Sequence, residues 1–148
     1  MSIYSLSYHS RNRIEDLTLD TRLELAKILE VSVSRNAAHG ISGALMFNDG
    51  RFAQILEGDR DAVKAAYESI RHDPRHTEVT ILSTQTLMVR RFGSWAMTFV
   101  GTTPAAREYY KSFAVNTDTF LETLQQDRLC QMMLEMIDID RRCLSDLK

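Results

Sequence analysis

Cysteine and proline are scarce in this chain of 148 residues, which contains two of each. Cys130 and Cys143 both lie late in the chain and form neither a CxxC motif nor a disulfide framework, so they predict a reduced, cytoplasmic protein. No apolar run is long enough to span a bilayer. The opening residues MSIYSLSYHS lack the basic and apolar regions of a secretory signal. We therefore expect neither membrane contact nor secretion.

An excess of charge is also missing, because 18 Lys and Arg oppose 20 Asp and Glu. This balance gives no reason to expect nucleic acid as a partner. The chain has no P-loop, G-x-G-x-x-G, G-x-S-x-G or H-E-x-x-H motif. His72 and His76 are four residues apart, but Pro74 interrupts a helix between them, so we expect no metal site. The remaining composition, 44% hydrophobic and 26% charged, is that of one ordinary globular domain with room for a small appendage.

Apolar periodicity predicts seven elements in the order βαββαββ. Strands are expected at 2–8, 41–48, 51–58, 78–89 and 95–101, and helices at 21–39 and 59–73. The apolar stripe of the first helix is formed by Leu25, Ile28, Leu29 and Val33, and that of the second by Val63, Ala66, Tyr67 and Ile70. Asp49 and Gly50 form a typical hairpin turn. This order predicts an α+β, ferredoxin-like sandwich with a five-stranded mixed sheet and two helices on one face.

The chain after Pro104 has a different pattern, which predicts one or two further amphipathic helices. Their apolar positions are Leu121, Leu124, Leu129, Met132, Met133, Met136 and Ile137. Methionine packs adaptably, so we expect this surface either to cover the other face of the sheet or to form a dimer contact.

Three polar side chains are expected to point into the apolar core. Gln54 lies between Phe52 and Leu56 on one strand face, and Tyr8 lies on the inward face of the first strand. Asn36 follows Leu25 by eleven residues, about three helical turns, and so shares its buried face. Each could be a structural residue satisfied by the backbone. Together they suggest a polar pocket for a small molecule, because an amide such as that of Gln54 can both donate and accept hydrogen bonds.

Four stretches carry a resemblance to a known family: YSLSYHS, RNAAHGISGALMFNDGRFAQILEG, DPRH and RRFGSWAM. In order and spacing they resemble the BLUF domain, a blue-light sensor that uses flavin, over residues 2–101. The resemblance implies non-covalently bound FAD, with FMN or riboflavin as alternatives, and a flavin ring held between the two helices that flank the sheet. It divides the chain into a photosensor domain, 1–101, and a helical extension, 102–148, that caps the sheet or carries the output.

The resemblance also implies residue roles. Tyr8 is expected to be the light-driven electron and proton donor, Gln54 to bridge Tyr8 and the flavin, and Asn36 to hold the pyrimidine edge. Met97 and Trp95 share a face of the last strand and are expected to relay the hydrogen-bond change, although Trp95 has two alternative roles, a competing electron donor or a half-exposed packing residue. The other expected cofactor contacts are Ile28, Arg35, Ile70, Asp73, Arg75 and His76. Arg35 stands where the family often has asparagine or histidine, so it could instead reach a phosphate.

These features predict a short photoreceptor rather than an enzyme. No effector domain is recognisable after residue 101, so the output is expected to pass through an unknown protein partner or through self-association as a dimer or larger homo-oligomer. The alternatives are a small flavin-dependent oxidoreductase, an acylphosphatase-like hydrolase and a flavin-free ligand-binding module. A hydrolase of that kind needs a glycine-rich phosphate cradle after the first strand, where the chain has YHSRNR.

Overall fold

The computed structural model describes residues 2–12, 21–48, 51–74, 76–93, 96–101, 103–113 and 126–146. The strands in this part are β1 (Ile3–Asn12), β2 (Ser42–Asn48), β3 (Arg51–Gly58), β4 (His76–Leu87) and β5 (Thr98–Val100). The helices are α1 (Thr21–Ala38), α2 (Arg60–Arg71), α3 (Pro104–Phe113) and α4 (Gln126–Asp146). The five strands form one sheet in the order β4-β1-β3-β2-β5, with β2 and β5 parallel and the other pairs antiparallel. The predicted α+β fold and its mixed sheet are confirmed.

The register of β1 against β3 aligns the polar residues of interest. Tyr8 lies opposite Gln54, and two residues away Leu6 lies opposite Leu56. Because side chains alternate along a strand, all four belong to the sheet face that α1 and α2 cover. The next residue along, Ile55, faces the opposite layer. The pairing therefore sets Tyr8 beside Gln54 inside one core.

Two apolar cores lie on the two faces of the sheet. The first packs under α1 and α2 and contains Leu6, Tyr8, Leu45, Phe52, Leu56, Val63, Tyr67 and Met97. The second packs under α3 and α4 and contains Met46, Ile55, Val100, Tyr110, Leu129, Met132, Met133, Met136 and Ile137. The methionine-rich surface thus covers the other face of the sheet, which was one of the two predicted roles. Leu121 and Leu124 lie outside the described residues.

Local sequence signals explain how several elements begin and pair. Asp59 caps α2, and its carboxylate accepts a hydrogen bond from the Ala62 amide at 3.4 Å. The Thr103 hydroxyl accepts one from the Ala106 amide at 3.2 Å at the start of α3. Gly43 lets β2 approach β3, because a Cβ there would lie 2.0 Å from the carbonyl oxygen of Ile55.

Four details of the prediction were wrong. The strand expected at 78–89 runs instead from His76 to Leu87 as β4. β1 does not end at Tyr8 but continues to Asn12, because it pairs with β3 on one side and β4 on the other over this length. The last strand is shorter than 95–101, since only three residues pair with β2, and Met97 therefore precedes the strand. Val33 is 39% exposed, because Ile28, Ser32 and Asn36 follow one another at intervals of four along α1 and Val33 is turned about 100° away from that line.

Within the described residues, no helix is both long enough and apolar enough to cross a membrane.

Candidate functional site

A cavity of about 230 Å³ opens between α1, α2 and the sheet. Its sheet wall includes Tyr8, Phe52 and Gln54, its α1 wall includes Ile28, Ser32 and Arg35, and its third wall is formed by Ser69, Ile70 and Asp73. Six of the residues expected to serve the site therefore line this one space. These six are Tyr8, Ile28, Arg35, Gln54, Ile70 and Asp73.

Gln54 connects Tyr8 to Met97 at the sheet wall of this cavity. The Tyr8 hydroxyl donates a hydrogen bond to Gln54 Oε1, and Gln54 Nε2 lies 3.4 Å from the sulfur of Met97, which accepts. All three side chains are buried. A thioether sulfur has no hydrogen to donate, so this orientation of the amide is the one that satisfies both neighbours. The buried glutamine thus accepts a hydrogen bond from β1 and donates one to Met97, which directly precedes β5.

The phenol of Tyr8 lies in a strongly apolar setting. Burial raises its pKa well above the usual range, and the neighbouring Tyr67 and Asp73 act in the same direction, while the positive charge of Arg35 opposes them. The ring of Tyr67 meets that of Tyr8 edge-on, with 5.8 Å between the ring centroids. Tyr8 therefore keeps its proton at neutral pH and presents it to Gln54.

Asn36 is fully buried but does not line the cavity. Its Nδ2 donates a hydrogen bond to the carbonyl oxygen of Ala96 at 3.0 Å, which ties α1 to the residue before Met97. Its Oδ1 has no hydrogen-bond partner within the described part of the chain. An adjoining open cleft, lined in part by Arg90 and Gly93, also reaches Asn36. Asn36 thus lies outside the lining of the cavity, and its buried Oδ1 can still accept a hydrogen bond.

Arg35 bridges the two helices that flank the cavity. Its Nη1 donates to the hydroxyl of Ser69 on α2 at 3.1 Å. Its Nε is buried and has no hydrogen-bond partner among the residues described. The guanidinium therefore brings a positive charge to the cavity while keeping a donor unused.

The remaining predicted site residues are not placed by the structure. Trp95 and Arg75 lie outside the described residues, and of His76 only the backbone, at the start of β4, is described. Their expected roles stay predictions.

A buried carboxylate on the face of β3 opposite to Gln54 was missed from the sequence. Glu57 is 0% exposed, and it accepts hydrogen bonds from the Ser42 hydroxyl at 2.8 Å and from the backbone amides of Arg91 and Phe92 at 2.9 and 2.5 Å. Arg90 reinforces this anchor through Ser42, the Glu57 carbonyl and the Gly40 carbonyl. The sequence could have revealed it, because Glu57 follows Ile55 by two positions. Alternation along the strand then places this charged residue on the same, otherwise apolar, face.

A helix-covered cavity over a mixed sheet, with a hydrogen-bonded tyrosine and glutamine in its wall, defines an α+β ligand-binding domain. The family model described as "Sensors of blue-light using FAD" matches residues 3–98. The chain belongs to this BLUF family.

Relatives and solved structures agree with that assignment. The chain is 43% identical to the photoactivated adenylate cyclase subunit beta of Euglena gracilis over 79 residues, which are 53% of this chain and 9% of that protein's length. It is 34% identical to the blue light- and temperature-regulated antirepressor BluF of Escherichia coli (strain K12) over 50% of this chain and 18% of the antirepressor. The chain thus spans only a small part of these curated relatives.

Among solved structures, BlsA in its ground state is similar with a TM-score of 0.75 and 28% identity, over 92% of this chain and 87% of that one. The dark state of BlrB, a BLUF protein, has a TM-score of 0.73 and 28% identity, over 88% and 94%. The resemblance found in the sequence is confirmed, and the chain is a member of a family of flavin-using blue-light sensors. The alternative of a small flavin-dependent oxidoreductase finds no support in these comparisons.

Proposed function

We propose that this chain senses blue light through a flavin ring held in the cavity between α1 and α2, and that Gln54 is its switch. The observation that carries the proposal is the hydrogen-bonded chain from Tyr8 through Gln54 to Met97, because it begins with two residues that line the cavity and ends next to β5. A change at the cavity can therefore reach a strand without any covalent step.

The cavity suits a flat ring system better than a whole dinucleotide. Its volume of about 230 Å³ lies just below the roughly 300–1,000 Å³ of most small-molecule sites. Ile28, Ile70 and Phe52 supply apolar walls, while Gln54 and the unused donor of Arg35 match a ring with polar edges. The spare acceptor of Asn36 suits the N–H of a pyrimidine edge, provided that the side chain turns toward the ring. The residues present fit a flavin.

The part of the cofactor beyond the ring is assigned to the helix ends. Arg35 and Asp73 border the cavity with opposite charges, and we assign them, with Arg75 and His76, to the ribityl chain or phosphate. FAD is the flavin named in the family description, while FMN and riboflavin share the ring and differ only in this outer part. Identification of the flavin extracted from the purified protein decides among the three.

The switching chemistry follows from the protonation of Tyr8. When bound, the flavin supplies a strong oxidant upon excitation by blue light. A phenol that lost an electron to this oxidant would become strongly acidic, so its proton would move to the acceptor it already contacts, Gln54 Oε1. The amide would then rearrange, by rotation or by tautomerisation, and return of the electron from the oxidant, together with a proton, would restore the neutral phenol of Tyr8. Rotation would direct Gln54 Nε2 away from the Met97 sulfur, which leaves a changed hydrogen-bond pattern as the signal.

We further propose that the chain has no enzymatic activity of its own and passes the signal to a protein partner or to a second copy of itself. The packing of α3 and α4 supports a route to such a partner, because these helices cover the sheet face opposite the cavity and contact Val100 of β5. A cytoplasmic setting belongs to the same proposal and is supported by the low cysteine content, two in 148 residues, with neither a CxxC motif nor a disulfide framework.

Absorption spectra of the flavin-loaded protein in the dark and under blue light test the proposal. We expect a small red shift without bleaching that reverses in the dark. Tyr8→Phe and Gln54→Leu should each keep the flavin and lose this shift. Tyr4→Phe on the same strand face and Gln85→Leu on β4 are matched controls that should behave like the wild type, because neither residue lines the cavity. A protein that takes up no flavin, or a Gln54→Leu variant with a normal shift, would refute the assignment.

A further inference from the structure

Two buried carboxylates hold the ends of one chain segment, residues 90–103, which carries Met97 near its middle. At the start, Glu57 accepts hydrogen bonds from the amides of Arg91 and Phe92. At the end, Asp140 on α4 accepts hydrogen bonds from Gly101 and Thr103. The segment that contacts the switch is thus attached to the sheet at one end and to a C-terminal helix at the other.

The attachment to α4 is close and specific. Asp140 is only 7% exposed; its Oδ2 accepts from the Gly101 amide at 3.0 Å, and its Oδ1 accepts from the Thr103 hydroxyl at 2.7 Å and the Thr103 amide at 3.3 Å. A Cβ at Gly101 would lie 2.7 Å from the terminal methyl of Met136, and the φ of Gly101 is +81°. The positive φ therefore favours glycine directly after β5, where the backbone lies against the flexible side chain of Met136 on α4.

The two attachments differ in how readily they can shift. Glu57 belongs to β3, which is hydrogen-bonded to β1 on one side and β2 on the other, so this end is fixed within the sheet. Asp140 belongs to α4, which is joined to the sheet by side-chain packing and by these hydrogen bonds. β5 itself pairs with β2 over three residues at the sheet edge. A displacement of Met97 is therefore resisted at the end of the segment that Glu57 holds. It can shift the other end, which is attached to Asp140 on α4.

We propose that Asp140 is the positioning residue that couples the switch to α4. The route runs from Gln54 to Met97, along β5 to the Gly101 amide, and from there to the carboxylate of Asp140. This inference rests on the proposed function, because it names the element that responds when Gln54 rearranges. It assigns the output of the sensor to α4.

Hydrogen–deuterium exchange of the flavin-loaded full chain, in the dark and under blue light, tests the coupling. The absorption spectrum of each sample is recorded alongside. In the wild type we expect a red shift together with a light-dependent change in the exchange of α4 amides. In Asp140→Leu we expect the same red shift and loss of the α4 difference. Asp138→Leu removes a carboxylate from the exposed side of the same helix, where it pairs with Arg142, and should behave like the wild type.

The outcomes separate the two proposals. A wild-type red shift with no change in α4, or an α4 difference that persists in Asp140→Leu, overturns the coupling while the photoreceptor function stands. Absence of any red shift in the wild type overturns the proposed function and the coupling with it. If Asp140→Leu fails to fold, Thr103→Val removes one donor to Asp140 and should reduce the α4 difference, and Thr103→Ser, which keeps the hydroxyl, should restore it. A full difference in Thr103→Val also overturns the coupling.

Discussion

Replacing Glu57 by leucine tests whether its buried carboxylate anchors the segment that carries Met97. The side chain is fully buried and accepts three hydrogen bonds, two of them from the backbone of Arg91 and Phe92. Leucine has nearly the same size, so the variant leaves little cavity. Its effect is to leave the three donors without their acceptor.

The magnitude follows from the donors that remain. A buried donor without a partner costs about 1–3 kcal/mol. The Phe92 amide is buried, whereas Arg91 is partly exposed and can turn to water, so we expect a total loss of about 3 kcal/mol in the free energy of unfolding. With a urea dependence of ~1–3 kcal/mol per molar, the midpoint of unfolding should fall by roughly 1–3 M.

Urea unfolding followed by far-ultraviolet circular dichroism measures this midpoint. Glu57→Gln keeps one acceptor oxygen and should fall between the wild type and Glu57→Leu. Glu68→Gln is the control for loss of charge, because Glu68 is exposed and pairs with Arg71 one turn along the same helix; it should change the free energy by no more than about 0.5 kcal/mol. If Glu57→Leu and Glu68→Gln unfolded at the same urea concentration, Glu57 would not be an anchor.

Two further predictions concern the two cores. Because burial raises the pKa of Tyr8 above its unfolded value of 10.0, the folded state keeps this proton longer than the unfolded state does, and stability should fall as the pH rises past about 10, by up to ~1.4 kcal/mol per pH unit. Urea unfolding at pH 9 and pH 11 should show a smaller fall in Tyr8→Phe, and an equal fall in both proteins would contradict the assignment. Leu129→Ala, in the core under α4, should lower the free energy of unfolding by about 2–5 kcal/mol. Flavin affinity in this variant, measured by titration, should stay unchanged because the cavity is on the other face; weaker binding would contradict that separation.

The inward direction of Tyr8 and Gln54 could be anticipated from the sequence to a useful degree. Alternation along each strand predicts which side chains share a face, and the hairpin signal at Asp49 and Gly50 brings β2 and β3 together. The two apolar stripes predict helices on one face of the sheet. These patterns are local, and local rules of backbone geometry decide them.

Other features depended on contacts between residues far apart in the chain. The short β5 and the position of Met97 before it depend on how many residues find partners on β2. Asn36 was correctly expected to be buried. Its hydrogen bond to the Ala96 carbonyl joins residues 60 positions apart, and no local sequence pattern predicts it. The inward line of α1 runs through Ser32 rather than Val33, because the sheet below, and not the hydrophobicity of single residues, decides which side of the helix is covered.

By itself, the sequence determined the α+β class, the order of the elements, the inward direction of Tyr8 and Gln54, and the family. Only the tertiary structure decided which backbone amides donate to the carboxylates of Glu57 and Asp140. These hydrogen bonds attach the two ends of the segment 90–103. The physical reason is that periodicity reports which side of an element is buried. The partner of a buried carboxylate is set by the packing of several elements at once, since its free energy depends on donors that approach from distant parts of the chain.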